Sequence, residues 1–334
     1  MNAPNSLRIC ALVVALFGLC FTTNASDLTT HPTGNTSPVE VRIQILLIDL
    51  EKISGADQNF TANLGYGARW KDDRLRHDGP GNTIRPLSEI WHPQLQIVNQ
   101  QRLQRTLPEE ARISPEGEVS TIQRVWGQFS QPLILEEFPF DQQYMKTSLL
   151  GVGHASGSVK FVADQENPSS VAAKLAVSDW TPLDWSVEAT ESSISTTSRV
   201  NPVFNFSLLV KRNFSYHLVN VILPLIMIIC MSWVVFWINP KNANPRISVS
   251  VTAMLTLIAY RFAVSASLPK IGYLTKMDWF ILGSSVLVFT ALLEVVITCW
   301  MADKDRIESA CRLNRIMRVV SPIAFVIVAF AALG

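Results

Sequence analysis

Hydrophobic residues recur at two different spacings along the chain. In the first two thirds they alternate with polar residues in short segments, at 41–45, 95–98 and 203–208, with clusters of Gly, Asn and Pro between the segments. Short alternating segments between turn residues are typical of strands in a sandwich of two sheets. We therefore predict an antiparallel β-sandwich over residues 39–213.

Four long apolar stretches follow, at 214–238, 245–268, 277–301 and 316–333. A helix of about 20 apolar residues is long enough to cross the hydrocarbon core of a bilayer. The fourth stretch reaches that length only if its helix begins a turn before Val319. These stretches predict a transmembrane domain of four helices over residues 214–334.

The second apolar stretch carries six residues that are three or four positions apart and would share one helical face. They are Ser248, Thr252, Leu255, Ala259, Phe262 and Ala266. Hydroxyl groups come first on this face, and an apolar belt follows. A ring of such helices can enclose a pore that these six residues line, with Leu255, Ala259 and Phe262 as the gate that closes by excluding water. An ordinary membrane helix with a small-residue packing face would give a similar pattern.

The N-terminus and the flanks of the apolar stretches predict the topology. Residues 1–25 combine Arg8, a short apolar run and a small-residue cleavage site, which is typical of a secretory signal peptide. Residues 26–38 are polar and predict a flexible arm. Basic residues lie mostly on one side of the four stretches, and that side should be cytoplasmic. They are Lys241, Arg246, Lys304, Arg306, Arg312, Arg315 and Arg318.

Composition argues against several classes of function. The chain of 334 residues has a net charge of +1, which suggests neither nucleic acid nor a strongly acidic partner. Its five cysteines have neither zinc spacing nor a disulfide pattern, and its five histidines are scattered. The sequence shows no nucleophile–base pair, phosphate loop or metal constellation. We therefore predict no catalytic site, no metal, no cofactor and no enzyme activity.

Several motifs occur in the order known from one family. Residues 70–75 (WKDDRL) resemble its W-x-D-x-R-L strand, and 91–93 (WHP) resemble its W-x-P turn. Residues 138–143 (FPFDQQ) resemble its F-P-F-D-x-Q loop, and 220–224 (NVILP) resemble the N-x-x-x-P of its first membrane helix. The chain from Val41 to Gly334 thus resembles a subunit of the pentameric ligand-gated ion channels. The resemblance implies an immunoglobulin-like ligand-binding sandwich, a four-helix channel domain and a ring of five identical subunits.

Two departures from the animal members of this family resemble its bacterial branch. Gln131 and Met145 stand where two cysteines bridge the loop in animal receptors. The linker between the third and fourth helices, about 302–315, is far shorter than the insert of those receptors. A bacterial member implies a multi-pass protein of the inner membrane, with the sandwich in the periplasm.

The agonist site departs from the family's amine receptors, which hold a cation among aromatic rings. Counted from the shared motifs, the cage positions are Gly65, Val98 and Val152, and the flap at 189–202 contains no aromatic residue. We therefore predict no conventional amine cage. Leu257 stands where the proton-gated bacterial member has a pore histidine. Periplasmic carboxylates or histidines could still sense protons, so a small molecule and a proton both stay open as agonists.

Coupling between the domains is implied by the resemblance. In the family an acid at the tip of the loop and an arginine at the end of the last strand form a buried ion pair, and here these are Asp141 and Arg212. Pro269, Lys270 and Tyr273, between the second and third helices, should lie against that loop. A structural salt bridge with no part in gating is the alternative.

Ion selectivity should depend on the inner mouth of the pore, which we place at the start of the second helix. Asn244 and Arg246 lie there, and no acidic residue is present. Glu294 on the third helix could neutralise Arg246, and this would leave the hydroxyl groups of the pore helix to favour cations. We predict a homopentameric, cation-selective channel that is opened by agonist binding, with membrane lipid and permeating ions as its other partners. An anion-selective channel of the same fold and a non-conducting periplasmic receptor are the alternatives.

Overall fold

The computed structural model describes residues 28–34, 37–152, 157–192, 200–265 and 271–334. The signal peptide predicted for residues 1–25 lies outside these ranges. Ala266, Pro269 and Lys270 also lie outside them, so their predicted roles stay predictions.

Twelve strands occur in the described part of the chain that precedes the first helix. They are β1 (Val39–Ser54), β2 (Asn59–Lys71), β3 (Thr83–Pro86), β4 (Leu95–Ile97), β5 (Gln100–Arg105), β6 (Glu110–Ile113), β7 (Glu118–Ser130), β8 (Gln142–Gly151), β9 (Val159–Ala163), β10 (Ser170–Val171), β11 (Trp180–Ser192) and β12 (Asn201–Arg212). One sheet has eight strands, and the other has the order β11-β12-β8-β4. The predicted β-sandwich is confirmed.

Alternation of side chains along each strand builds the core between the sheets. In β1, Val41, Ile43 and Ile45 are buried, whereas the polar residues between them point to the other face. Phe204 and Phe206 of β12 are buried in the same way and belong to the same hydrophobic cluster. Because successive side chains of a strand point to opposite faces, this alternation defines which face of each sheet is internal.

The pairing is antiparallel except at one edge of β1. There β9 and β10 pair with β1 in the parallel direction, with Val41 opposite Phe161 and Leu46 opposite Ser170. The other edge of β1 is occupied by β2, so without β9 and β10 a row of backbone groups would lack partners. Alternation in the sequence predicts strands but gives no information on their direction.

A buried ion pair connects β2 with the end of β9, on the two sides of β1. Arg69 donates to both carboxylate oxygens of Asp164, at 2.7 Å from Nε and 2.5 Å from Nη2, and Asp164 is buried. Burial alone would raise the pKa of Asp164, but the hydrogen bonds from Arg69 and from the Asn167 and Glu166 amides hold it below its ordinary value of 3.8. A carboxyl group with a lowered pKa stabilises the fold fully above its unfolded pKa and loses this effect as the pH falls through the folded value.

Arg69→Gln should therefore lower the apparent unfolding temperature at pH 7 by about 5–10 °C, because it strands a buried carboxylate. The difference from the wild type should shrink as the pH falls below 3.8, where Asp164 becomes protonated. Circular dichroism of the detergent-solubilised protein across this pH range measures it. Glu166→Gln, at an exposed partner of Arg69, is the control and should have a small effect. A difference that stayed constant down to the lowest pH would contradict this assignment.

Four helices of the described residues are long and apolar enough to cross a membrane. They are α1 (Ser215–Trp237), α2 (Ala243–Ser265), α3 (Lys276–Asp303) and α4 (Ile307–Leu333). The predicted order of a β-sandwich followed by four helices is confirmed. Within α1 the five residues before Leu223 form a π-helical turn. This wider turn lies where Pro224, which has no N–H, cannot donate to the backbone of the preceding turn.

One boundary differs clearly from the sequence prediction. The last helix begins at Ile307 rather than at 316, and only a short connection separates it from α3. Its first three turns are rich in arginine and other polar residues, which have good helix propensity but do not belong in hydrocarbon. A search for apolar runs therefore finds the membrane-spanning part of this helix and misses the part that extends beyond it.

Candidate functional site

The predicted stripe of α2 is exposed in the subunit. Ser248, Thr252, Leu255, Ala259 and Phe262 are all exposed, and the exposed fractions of Leu255 and Phe262 are 60% and 75%. The opposite face packs against the rest of the subunit. Its buried residues are Arg246, Ser250, Ala253, Leu257 and Val264. The structure thus brings together all the predicted pore-lining residues that it describes, on a face that the subunit itself leaves uncovered.

Hydroxyl groups of α2 donate their hydrogens back to the helix. The Thr252 hydroxyl donates to the carbonyl of Ser248, and the Thr256 hydroxyl donates to the carbonyl of Thr252, each at 2.8 Å. A hydroxyl oxygen whose hydrogen is used in this way still has free lone pairs. On the stripe, Thr252 therefore presents an acceptor, which suits a cation or the hydrogens of water.

The flank of α2 carries the charge of Arg261, which is exposed. Arg261 lines a cavity of about 350 Å³ together with Ile258, Phe262 and Ser265. The described residues provide it with neither a salt bridge nor a side-chain hydrogen bond. Arg261 therefore lies at the surface of the subunit, next to the stripe.

The three residues predicted at the inner mouth do not lie together. Asn244 is exposed in the first turn of α2, whereas Arg246 and Glu294 are buried inside the subunit. Arg246 Nη2 lies 3.1 Å from a carboxylate oxygen of Glu294 and 2.8 Å from the side-chain oxygen of Asn314 on α4. The structure thus brings Arg246 and Glu294 together, and it adds Asn314, which sequence reasoning missed.

Asp141 and Arg212 meet because of the strand register. Lys211 of β12 lies opposite Gln142 of β8, so the next pair across the two strands is Arg212 and Asp141. Arg212 donates through Nε to Asp141 Oδ1 at 2.7 Å and through Nη2 to Oδ2 at 3.1 Å. Only 2% of the Asp141 side chain is exposed. Two residues far apart in sequence therefore form a buried, two-point ion pair.

Aromatic rings and an amide enclose this pair. The Arg212 guanidinium carbon lies 4.1 Å from the ring centre of Trp180 and 4.8 Å from that of Phe138. Gln143 donates to the second oxygen of Asp141 at 2.9 Å and also bonds the backbone of Ile134. Rings over a guanidinium attract its charge and exclude water. Sequence reasoning missed Trp180 and Gln143, although the latter belongs to the FPFDQQ motif.

The loop at 131–141 reaches the membrane helices through several contacts. Tyr273 accepts a hydrogen bond from the Leu135 amide at 2.9 Å, and the amides of Lys276 and Met277 donate to the carbonyls of Glu136 and Phe138. The ring of Phe138 also meets the ring of His217, near the start of α1, edge to face at 4.8 Å. One loop therefore connects the buried ion pair with α1 and with the start of α3.

The predicted agonist positions form no aromatic cluster. Gly65 is buried, Val98 is exposed, and Val152 lines a cavity of about 330 Å³ within the sandwich. The cavity also contacts Tyr66, Gln96, Arg105 and Glu109, so polar groups share its wall with apolar ones. Sequence reasoning missed an exposed indole, that of Trp126 on β7, whose N–H donates to Glu51 at 2.5 Å. Among the described residues, no group of His, Cys, Asp and Glu could hold a metal ion.

Comparisons with known proteins cover both parts of the chain. Residues 23–214 match the Neurotransmitter-gated ion-channel ligand binding domain, and residues 221–312 match the Neurotransmitter-gated ion-channel transmembrane region. A proton-gated ion channel of Gloeobacter violaceus is 23% identical over 305 residues, which are 89% of this chain and 84% of that protein. The gamma-aminobutyric acid receptor subunit alpha-2 of Bos taurus is 28% identical over 273 residues. That match covers 79% of this chain but only 60% of the receptor subunit, and the human subunit gives the same values.

Proposed function

Because the chain belongs to the family of neurotransmitter-gated ion channels, we propose that it is the subunit of a homopentameric channel that opens when an agonist binds to its β-sandwich. Members of this family are ligand-gated channels and not enzymes. The exposed stripe of α2 is the observation that supports the proposal most strongly. Hydroxyl groups on this face of a membrane-spanning helix favour contact with water over contact with lipid, and a ring of subunits around an axis supplies that water.

We place the subunit in the inner membrane of a bacterium, with the sandwich in the periplasm. The basic residues at the connection between α1 and α2 and at the start of α4 support a cytoplasmic location for that end of the bundle. The agonist then reaches the sandwich from the periplasm. Its identity stays open between a small molecule and a proton, and the names of the relatives include one channel of each kind.

We propose that the channel prefers cations. Arg246 is the charge that could favour anions at the inner mouth, but it is buried and paired with Glu294. Ser248 and Thr252 then line the pore near the inner mouth. The Thr252 hydroxyl donates its hydrogen to the carbonyl of Ser248, so its lone pairs are left to accept. Hydroxyl oxygens can replace part of the water shell of a small cation.

A planar bilayer containing the purified full-length protein tests this function. Steps of periplasmic pH from about 7.5 to 4 and a panel of amines and amino acids serve as stimuli, since both agonist classes occur among the relatives. We expect a stimulus-dependent current that reverses near the sodium equilibrium potential under a sodium chloride gradient. Absence of current under every stimulus would favour a non-conducting receptor, and reversal near the chloride equilibrium potential would make this an anion channel.

Native mass spectrometry in mild detergent should give a complex of five identical chains. One exposed stripe cannot enclose a pore, and closed rings are the usual form of homo-oligomers with repeated head-to-tail contacts. Leu255 and Phe262 are largely exposed in the single subunit, so five copies would bury or hydrate them at the axis. A stable monomer or dimer would contradict the pore.

A further inference from the structure

Arg246 lies in an environment that is unusual for a guanidinium. Its exposed fraction is 0%, and it is held by side chains from two other helices, Glu294 of α3 and Asn314 of α4. Asn314 in turn donates to the carbonyl of Ile238, in the connection between α1 and α2, at 3.4 Å. The first turn of the pore helix is therefore tied to the interior of its own subunit.

Both side-chain hydrogen bonds of Arg246 are made by one of its nitrogen atoms. Nη2 makes both hydrogen bonds, while Nε and Nη1 and the second carboxylate oxygen of Glu294 have no hydrogen-bond partner among the described residues. A buried charge without its counter-ion is energetically costly. A buried pair of opposite charges has no net charge and therefore acts only weakly on an ion some distance away. Glu294 therefore cancels the charge of Arg246, and Asn314 fixes where the guanidinium lies.

Arg246 is only two residues before Ser248, which belongs to the pore-lining stripe. Two residues along a helix turn the side chain by about 200°, so the two side chains leave α2 on opposite sides. If its counter-ion is lost, the positive charge acts on the ion path across a helix in a medium of low dielectric constant. If its anchor is lost, the flexible arginine stem can move toward the mouth.

We propose that Glu294 and Asn314, neither of which lies on the pore-lining stripe, determine ion selectivity by neutralising Arg246 and holding it inside the subunit. Asn314 is a positioning residue, since it acts through Arg246 and not on the ion. This inference rests on the proposed function as a cation channel and extends it to a residue of the last helix, α4.

The test measures reversal potentials of purified channels in a bilayer under a sodium chloride gradient. Glu294→Gln should raise the chloride-to-sodium permeability ratio by at least about tenfold. One uncompensated charge about 12 Å from the ion path, at an effective dielectric constant of about 20, would alone have about this effect, and a pentamer carries five. Glu308→Gln makes the same substitution at an exposed residue of α4 and should leave the ratio unchanged. Asn314→Leu keeps the ion pair and should raise the ratio about threefold, since the anchor is lost but not the counter-charge. Arg315→Gln is its exposed neighbour and control.

The double variant Arg246→Gln/Glu294→Gln separates charge from structure. With both charges removed the ratio should return to the wild-type value, and Asn314→Leu should then have no effect on it. If Glu294→Gln does not assemble, Asn314→Leu decides in its place, because it keeps both charges and buries no unpaired one. A raised ratio that disappears in the double-variant background supports the inference, and an unchanged ratio in Asn314→Leu alone overturns it.

Two further outcomes would overturn the inference while the wild type stays cation-selective. One is a conducting Glu294→Gln channel with an unchanged ratio. The other is a lower chloride-to-sodium ratio in Arg246→Gln/Glu294→Gln than in the wild type, which would mean that the pore feels Arg246 in spite of its counter-ion. A wild-type channel that reverses near the chloride potential would instead contradict the proposed selectivity itself.

Discussion

Replacing Asp141 by asparagine should abolish the stimulus-evoked current and lower the apparent unfolding temperature by about 10 °C. Asp141 is buried and takes two hydrogen bonds from Arg212 and one from Gln143. The variant leaves the Arg212 guanidinium between two aromatic rings without its counter-ion, which costs about 3–5 kcal/mol. Because the same loop contacts Tyr273 and the start of α3, the link between agonist site and pore should fail with it.

Current and unfolding temperature, measured on the same preparation, distinguish a role of this ion pair in gating from a purely structural role. Glu137→Gln is the control, because Glu137 is an exposed acid of the same loop whose ion pair with Lys276 spans 3.4 Å. The double variant Asp141→Asn/Arg212→Gln removes both charges and should recover much of the unfolding temperature but not the current. If the double variant recovered both together, the pair would be a structural salt bridge with no part in gating.

Replacing Leu255 by serine should open the channel at about one tenth of the wild-type stimulus or give a standing current. Leu255 is 60% exposed on the stripe, between the hydroxyl groups and Phe262. A ring of leucines closes a narrow pore because water leaves an apolar constriction, and hydroxyl groups at this level keep it wet. Dose–response curves from the bilayer recordings measure the shift.

Leu293→Ser provides the matched control, since Leu293 is an exposed leucine of α3 rather than of the stripe. It should leave the dose–response curve close to that of the wild type. If Leu255→Ser gates like the wild type, or if Leu293→Ser shifts the curve equally, the gate does not lie at the apolar belt.

Local patterns in the sequence predicted the parts of the structure that depend on local periodicity. The spacing of Ser248, Thr252 and Leu255 was enough to place them on one face, because the helix alone determines it. That this face is the exposed one depends on how the other helices pack against α2, which the spacing alone does not give. The order of sandwich and helices followed in the same way from alternation and from the length of the apolar runs.

Contacts between distant segments could not be predicted in this way. Asn314 carries no local signal, because its importance comes from Arg246 and Glu294 on two other helices. Trp180 is one of several tryptophans in the sequence, and only the folded chain places it over Arg212. The pairing of Asp141 with Arg212 was suggested by the family's motif and not by any spacing, since it depends on the register of β8 with β12.

The parallel edge of β1 has a consequence for biosynthesis. β1 leaves the ribosome before its partner β9, which ends at Ala163, roughly 120 residues later. At about 5–20 residues per second, translation takes about 6–25 seconds to cover this interval. During this time β2 can protect one edge of β1, while the other edge presents free backbone groups next to a run of apolar side chains. Until β9 and β10 are made, this edge can pair with other unfinished chains, and their pairing with β1 removes that risk.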